Sequence, residues 1–171
     1  MDFDLTPEQE AFRQAARAFA EAEVRPVAAR VDADNRFPRE LVRRAAAQGL
    51  TAVRVPAALG GAGRDFVSYA LAIEEIARAS ATLAVILAVS NSLVCDLLLR
   101  VGTPAQRARW LPPIARGEAI GAFALSESHA GTDAAASHDH HVFARSLVRA
   151  GCFGGVHRTS FVESNSSRSP T

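Results

Sequence analysis

The chain has no lysine: all nineteen of its basic residues are arginine, set against eighteen acidic residues for a formal net charge of +1. We read the missing lysine as codon bias, not chemistry. So even a balance offers no electrostatic footprint for nucleic acid or an anionic membrane. Cysteine is scarce too, with two in 171 residues, too few for a disulfide framework. Cys95 sits in an apolar run and reads as a small core hydrophobe. A secretory leader is not in view, since the opening Met-Asp-Phe-Asp-Leu is acidic where a signal is basic and then apolar. A reducing cytoplasm is the expected compartment. The longest apolar stretch, Leu83–Leu99, is interrupted by Ser90, Asn91, Ser92 and Asp96. It is also short for a bilayer and reads as a buried helix.

What is present is nearly half apolar, at 49%, and long enough for one domain with a core of its own. Thr6-Pro7-Glu8-Gln9 is a helix start, with a cap, a proline in the first turn and a glutamine three after the cap. Phe12, Ala15, Ala16, Phe19 and Ala20 then make one apolar face. Pro26 is expected to interrupt it, with a second short piece through Val31. Leu41, Val42, Ala45 and Ala46 mark the next helix, closed by Gly49. Leu50–Val55 is expected to be extended, and Leu59–Gly63 a flexible, plain loop, because no phosphate-binding lysine follows its glycines. Asp65 caps a third helix with Tyr69, Ala70, Ile73, Ile76 and Ala77 on its face. Glu74 and Glu75 are adjacent, point in different directions, and read as a wet pair rather than a catalytic one. Thr82 to Arg100 is the most apolar helix and Gly102 closes it. Thr103-Pro104-Ala105-Gln106 repeats the opening cap formula, Pro112-Pro113 disturbs that helix at about Leu111, and Gly117 ends the unit.

Residues 1–117 therefore read as an all-α bundle. From Ile120 the period becomes strand-like. Residues 121–133 alternate and then break into a loop of small residues, with Ser126 and Thr132 six apart and Gly131 between them. Hydroxyls and bare amides at a strand end suit a large polar cofactor. A lone strand needs neighbours for its backbone groups. Residues 137–171 carry no sustained period and read as disordered. His138, Asp139, His140 and His141 there have no partner ligands at metal-site spacing, so no metal is expected.

These blocks, in order, resemble the N-terminal part of the acyl-CoA dehydrogenases. They are the opening Leu-Thr-Pro-Glu-Gln, Phe37-Pro38-Arg39-Glu40-Leu41 with Gly49-Leu50, Gly60–Gly63, and Glu74-Glu75-Ile76-Ala77. Asn91–Cys95, Gly102–Pro112, and Gly117-Glu118 leading into Ala122–Glu127 complete the set, which covers residues 1–136. The resemblance implies a mainly α fold: an acyl-CoA dehydrogenase N-terminal-like helical bundle over 1–117, then over 118–136 the first strand of an incomplete β domain. It implies FAD as cofactor and α,β-desaturation of an acyl-CoA thioester. It places Phe123, Leu125 and Ser126 at the isoalloxazine. Gly131 and Thr132 would lie at the FAD pyrophosphate, with Thr132 also near the phosphate or pantetheine end of acyl-CoA. It implies a homo-oligomer and an electron-transfer acceptor, with neither nucleic acid nor membrane as partner.

Ser128 stands where the family has proline and His129 where it has glycine, whereas Ser126 and Thr132 keep hydroxyls where the family has them. After Ala136 the resemblance stops. The family's second flavin strand, with its Trp-Ile-Thr signature, and the C-terminal domain with the catalytic glutamate have no counterpart in 137–171. The expectation is a truncated or frameshifted product with no catalytic residue of its own. The alternative is a non-catalytic helical fragment that acts only in subunit association or in binding a CoA-like ligand.

Overall fold

Thr6 begins the first helix as its residues require. In the computed structural model, which describes residues 4–122, its hydroxyl accepts from the Gln9 N–H at 3.2 Å and Gln9 Oε1 accepts from the Thr6 N–H at 3.0 Å. This capping box opens α1, Pro7–Phe19. Pro26 does not end the helical path. A π turn, Ala20–Val24, carries α1 directly into α2, Arg25–Asp34. The donor that Pro26 lacks would have served the carbonyl of Glu21 in the π register or Ala22 in the α register, both exposed residues where water can replace it. The path ends three residues past Val31, with Asn35 in the left-handed region at φ 49°.

Helix α3 is Arg39–Ala47, and its four expected core residues, Leu41, Val42, Ala45 and Ala46, are all buried. Gly49, at φ +75°, closes it. Its N–H donates to Ala46 O, and the Leu50 N–H donates to Ala45 O, a paired closure that favours glycine.

Residues 50–55 are not extended; they form consecutive turns. No strand lies beside them among the described residues, and the Gly60–Gly63 loop folds back over them instead. Ala62 N–H donates to Ala52 O, Gly63 N–H to Val55 O and Arg64 N–H to Val53 O, at 2.8 to 3.1 Å. A Cβ on Gly61 would collide with the Val55 carbonyl. The loop expected to be flexible is thus stitched to the core. A short 3₁₀ turn, Ala57–Leu59, leads into it.

Asp65 caps α4, Phe66–Ala79, accepting from the Ser68 N–H at 2.8 Å. Its buried face is rotated from the expected one: Ser68, Ala72, Glu75 and Ile76 are buried, whereas Ala70 and Ala77 are exposed. Glu74 is exposed as expected, but Glu75 is not. Arg17 of α1 holds it with two bonds, at 2.9 and 3.0 Å. An arginine 58 residues away decides that carboxylate's environment.

Ser80 caps α5, Ala81–Ala88. A second π turn, Val89–Cys95, joins it to α6, Asp96–Val101. Helix α7, Pro104–Ala115, opens on a second capping box at Thr103. It runs through Pro112 and Pro113 instead of being disturbed at Leu111. The donors the two prolines lack would have served the carbonyls of Ala108 and Arg109, both exposed residues. The proline carbonyls close the end, Pro112 O accepting from Arg116 and Pro113 O from Glu118 and Ala119. Gly117, at φ +69°, follows as expected.

Two apolar clusters result. The first joins α1, α3, α4 and α5 through Phe19, Val24, Leu41, Ile76, Leu83 and Leu87. The second joins the 50–55 turns, α6 and α7 through Val55, Val94, Leu98, Leu111 and Ile114. The run Ala81–Val101 serves both, and its π turn lies where it passes from one to the other. It is the buried helix read from the sequence, with one long face left to solvent.

Candidate functional site

The π turn gathers three of the six buried polar residues of the described chain, Thr51, Ser90 and Asn91. Asn91 is 4% exposed. Its Oδ1 accepts from the Val53 N–H at 2.7 Å, and its Nδ2 donates to the Leu50 and Leu87 carbonyls, both at 2.8 Å. Ser90 donates to Thr51 O, and Thr51 donates to Ala115 O, each at 3.0 Å. One amide and two hydroxyls therefore tie the 50–55 turns, the π turn and the end of α7 together. The wide turn itself points Asn91 inward, and π turns of this kind recur at functional sites. The sequence reading took Ser90 and Asn91 as interruptions of an apolar run. Their signal was exactly that, since a polar pair inside a buried helix must find backbone partners.

Around this hub sit two further contacts. Arg54 NH1 donates to Asp96 Oδ1 at 2.6 Å, and Arg100 Nε to Asp96 Oδ2 at 2.9 Å. The Arg54 guanidinium also lies 5.1 Å from the Phe66 ring centroid. Cys95 is buried, and its thiol is pushed up to about 12 by that burial.

The chain then turns towards the segment that the sequence singled out. Ala119 is buried in the second cluster, and Gly121 packs against the buried Val94 of the π turn. A Cβ on Gly121 would stand 2.9 Å from Val94 Cβ and Cγ2. Residues 120–122 have no regular structure. Phe123, Leu125, Ser126, Gly131 and Thr132 lie outside the described residues, as do Ser128, His129, Asp133, Cys152 and the 138–141 histidine group. Among the described residues no cluster of three metal-ligating side chains occurs. Thr51, Ser90 and Asn91 are spent on the backbone and Glu75 on Arg17. Each of these buried side chains is thus engaged within the chain.

Comparison with known proteins decides the lineage. The family described as "Acyl-CoA dehydrogenase, N-terminal domain" matches residues 6–118. The chain belongs to the acyl-CoA dehydrogenase family. It is 45% identical over 136 residues to the short-chain specific acyl-CoA dehydrogenase of Clostridium acetobutylicum, covering 80% of this chain and 36% of that protein. It is 43% identical over 134 residues to the mitochondrial short-chain specific enzyme of Bos taurus, covering 78% of this chain and 32% of that one. The solved butyryl-CoA dehydrogenase from Megasphaera elsdenii superposes with a TM-score of 0.71 at 36% identity, covering 78% of this chain and 36% of its own. The chain thus spans about a third of the length of the acyl-CoA dehydrogenases it matches. The helical unit of residues 4–119 is the part of an acyl-CoA dehydrogenase that the described residues supply.

Proposed function

We propose that this chain serves FAD-dependent α,β-desaturation of a short acyl-CoA thioester. The observation that carries the reading is the 136-residue match to an enzyme named short-chain specific. In this reading residues 1–117 are the helical domain, 118–136 open the central β domain, and 137–171 form a tail outside the pattern. Phe123, Leu125 and Ser126 receive the isoalloxazine ring. Gly131 and Thr132 receive the pyrophosphate, and Thr132 also the acyl-CoA end. When bound, FAD supplies the electron sink for hydride removal. The described residues act earlier: Asn91 fixes the π turn, and Val94 seats Gly121, so that the chain enters the flavin segment from a set position. A homo-oligomer, an electron-transfer acceptor and the cytoplasm complete the reading.

The family's proton-abstracting carboxylate belongs to its C-terminal domain. The 171-residue chain alone is accordingly expected to retain little flavin and to reduce no dye with butyryl-CoA; turnover by the pure chain would refute this. The function itself is tested by a chimera in which residues 1–136 replace the matching segment of the C. acetobutylicum enzyme. The chimera should hold flavin and oxidise butyryl-CoA. Ser126→Ala and Thr132→Ala should each lower its flavin content. A folded chimera without flavin would sink the assignment.

A second reading, a non-catalytic helical unit acting in association or CoA-ligand binding, draws on the self-sufficiency of residues 4–122. Their cores close on themselves, and their two capping boxes are complete. It predicts cooperative unfolding of the chain without flavin. A flavin-dependent melting temperature would count against it.

A further inference from the structure

Val101 stands where an ordinary helix would not put it. It follows Leu83 by eighteen residues, which is about five full α turns. In an unbroken α-helix it would lie directly in line with Leu83. Yet Leu83 is 0% exposed and Val101 is 60% exposed. The π turn Val89–Cys95 accounts for the difference. Its amides reach five residues back instead of four, as Asp96 N–H does to Asn91 O. The turn thus holds about one residue more than the α turns it replaces. Helix α6 therefore lags by that residue, which is about 100° of rotation.

The same sequence also fits the other register. If the turn closed to α, α6 would rotate by one residue, and each place would pass to the residue before it. Leu93 would take the place of Val94 and Leu97 that of Leu98, so apolar side chains would replace apolar ones in the second cluster. Val101 would turn in towards the face that Leu83 occupies. Three observed contacts oppose the change. Asn91 is bonded to the Val53 N–H and to Leu50 O. Arg54 NH1 donates to Asp96 Oδ1 at 2.6 Å. Gly121 sits so close to Val94 that a longer side chain there has no space. The Arg100–Asp96 bond, by contrast, lies within α6 and would travel with it.

We propose that the run Ala81–Val101 is a two-register helix, latched in its widened register by Asn91 on the 50–55 backbone and by Arg54 on Asp96. Release of the latch moves α6 by one residue. Cys95 then passes to the partly exposed place of Asp96. Leu93, longer than Val94, drives residues 120–122 off the helix. Packed cores support discrete alternatives of this kind because they do not deform continuously. One helix thereby couples the 50–55 turns to the chain beyond Ala119, and whatever holds residues 120–122 in place favours the latched register. The proposal goes beyond the enzymatic reading and does not rest on it, since every group it uses lies among the described residues.

The test uses the full chain carrying Cys152→Ser. NMR of this parent should show coupling across the hydrogen bond from Asp96 N–H to the Asn91 carbonyl, and proximity of Gly121 to the Val94 methyls. Arg54→Gln, at a partly exposed position, should bring in the bond from Asp96 N–H to the Ser92 carbonyl and weaken the Gly121–Val94 contact. It should also let a disulfide reagent reach Cys95 at a rate that mild denaturant does not change. Asn91→Leu should do the same more strongly; if that chain does not fold, Arg54→Gln decides alone. Val101→Glu stays in water in the widened register and would bury a charge in the other. Added to either variant, it should restore the bond to residue 91 and slow the labelling. Latch variants that keep the residue 91 bond and the slow labelling overturn the proposal. So does Cys95 labelling that rises only in step with global unfolding, or a Val101→Glu change that reverses nothing.

Discussion

Gly121 and Val94 are in such close contact that no side chain fits between them: an added Cβ would come within 2.9 Å of the valine. The last described stretch, residues 120–122, is thereby held to the π turn at one point. Gly121→Ala should destabilise the chain by about 1–3 kcal/mol through overpacking. Val94→Ala opens the space, so the double variant should lose less than the sum of the two single ones. Urea midpoints of the four chains measure this. Additive losses would show that the contact does not constrain the chain.

Asn91→Leu keeps the volume of the side chain but strips the Val53 N–H and the Leu50 and Leu87 carbonyls of their partner. Buried groups left in that state cost about 1–3 kcal/mol each, and their losses overlap. The expected loss is about 2–4 kcal/mol in the urea-derived stability. Amide exchange at Val53 should accelerate along with it. A change below about 0.5 kcal/mol would mean that the hub is replaceable.

Arg17 and Glu75 should respond unequally to truncation. The Glu75 side chain is nearly buried, at 5% exposed, whereas the Arg17 side chain is 42% exposed. Arg17→Ala strands a buried charge, while Glu75→Ala leaves an arginine that can turn to water. The arginine variant should have the lower melting temperature at neutral pH. Replacing both by apolar residues should recover most of the difference. The reverse order would contradict the buried placement of Glu75.

Asp65 links two helix starts, accepting from the Ser68 N–H and from Gln9 Nε2 at 2.6 Å. The Ser68 N–H holds its carboxyl below the ordinary value, with help from the Ser68 and Gln9 side chains. A depressed folded-state pKa adds stability above the unfolded value of about 3.9 and loses it as pH falls through the folded one. Asp65→Ala should cost about 1 kcal/mol at pH 7. The gap between it and the parent should narrow as acid protonates the parent's carboxyl. A gap independent of pH, in urea titrations from neutral to strongly acidic solution, would rule out a charged cap.

Cys95 should be inert while the chain is folded. Its thiol, raised to about 12, carries almost no thiolate at mildly alkaline pH. In a chain bearing Cys152→Ser, a disulfide reagent should label Cys95 only as fast as the protein opens. Denaturant should accelerate labelling in step with unfolding. Fast labelling of the native chain would place Cys95 at the surface.

Features written within one or two helical turns were legible in the sequence. The Thr6, Asp65 and Thr103 caps and the Gly49 and Gly117 closures each depend on residues within five of one another. Features set by distant neighbours were not. Pro26 and Pro112-Pro113 looked like breaks because proline removes a donor, yet the carbonyls concerned lie on exposed residues. Residues 50–55 were expected to be extended, yet Asn91 and the glycine loop satisfy them as turns. Glu75 looked wet because Glu74 is, yet Arg17 reaches it.

The amino-acid order by itself determined the helical domain, its caps and its likeness to the acyl-CoA dehydrogenases, because capping and periodicity are local and the motif blocks keep their order. Only the tertiary structure decided that the most apolar helix widens at Val89–Cys95, turns Asn91 onto the 50–55 backbone and seats Gly121 on Val94. The reason is physical. A π turn yields a little local geometry so that buried polar groups on segments some forty residues apart can find one another, and no window of sequence contains both partners.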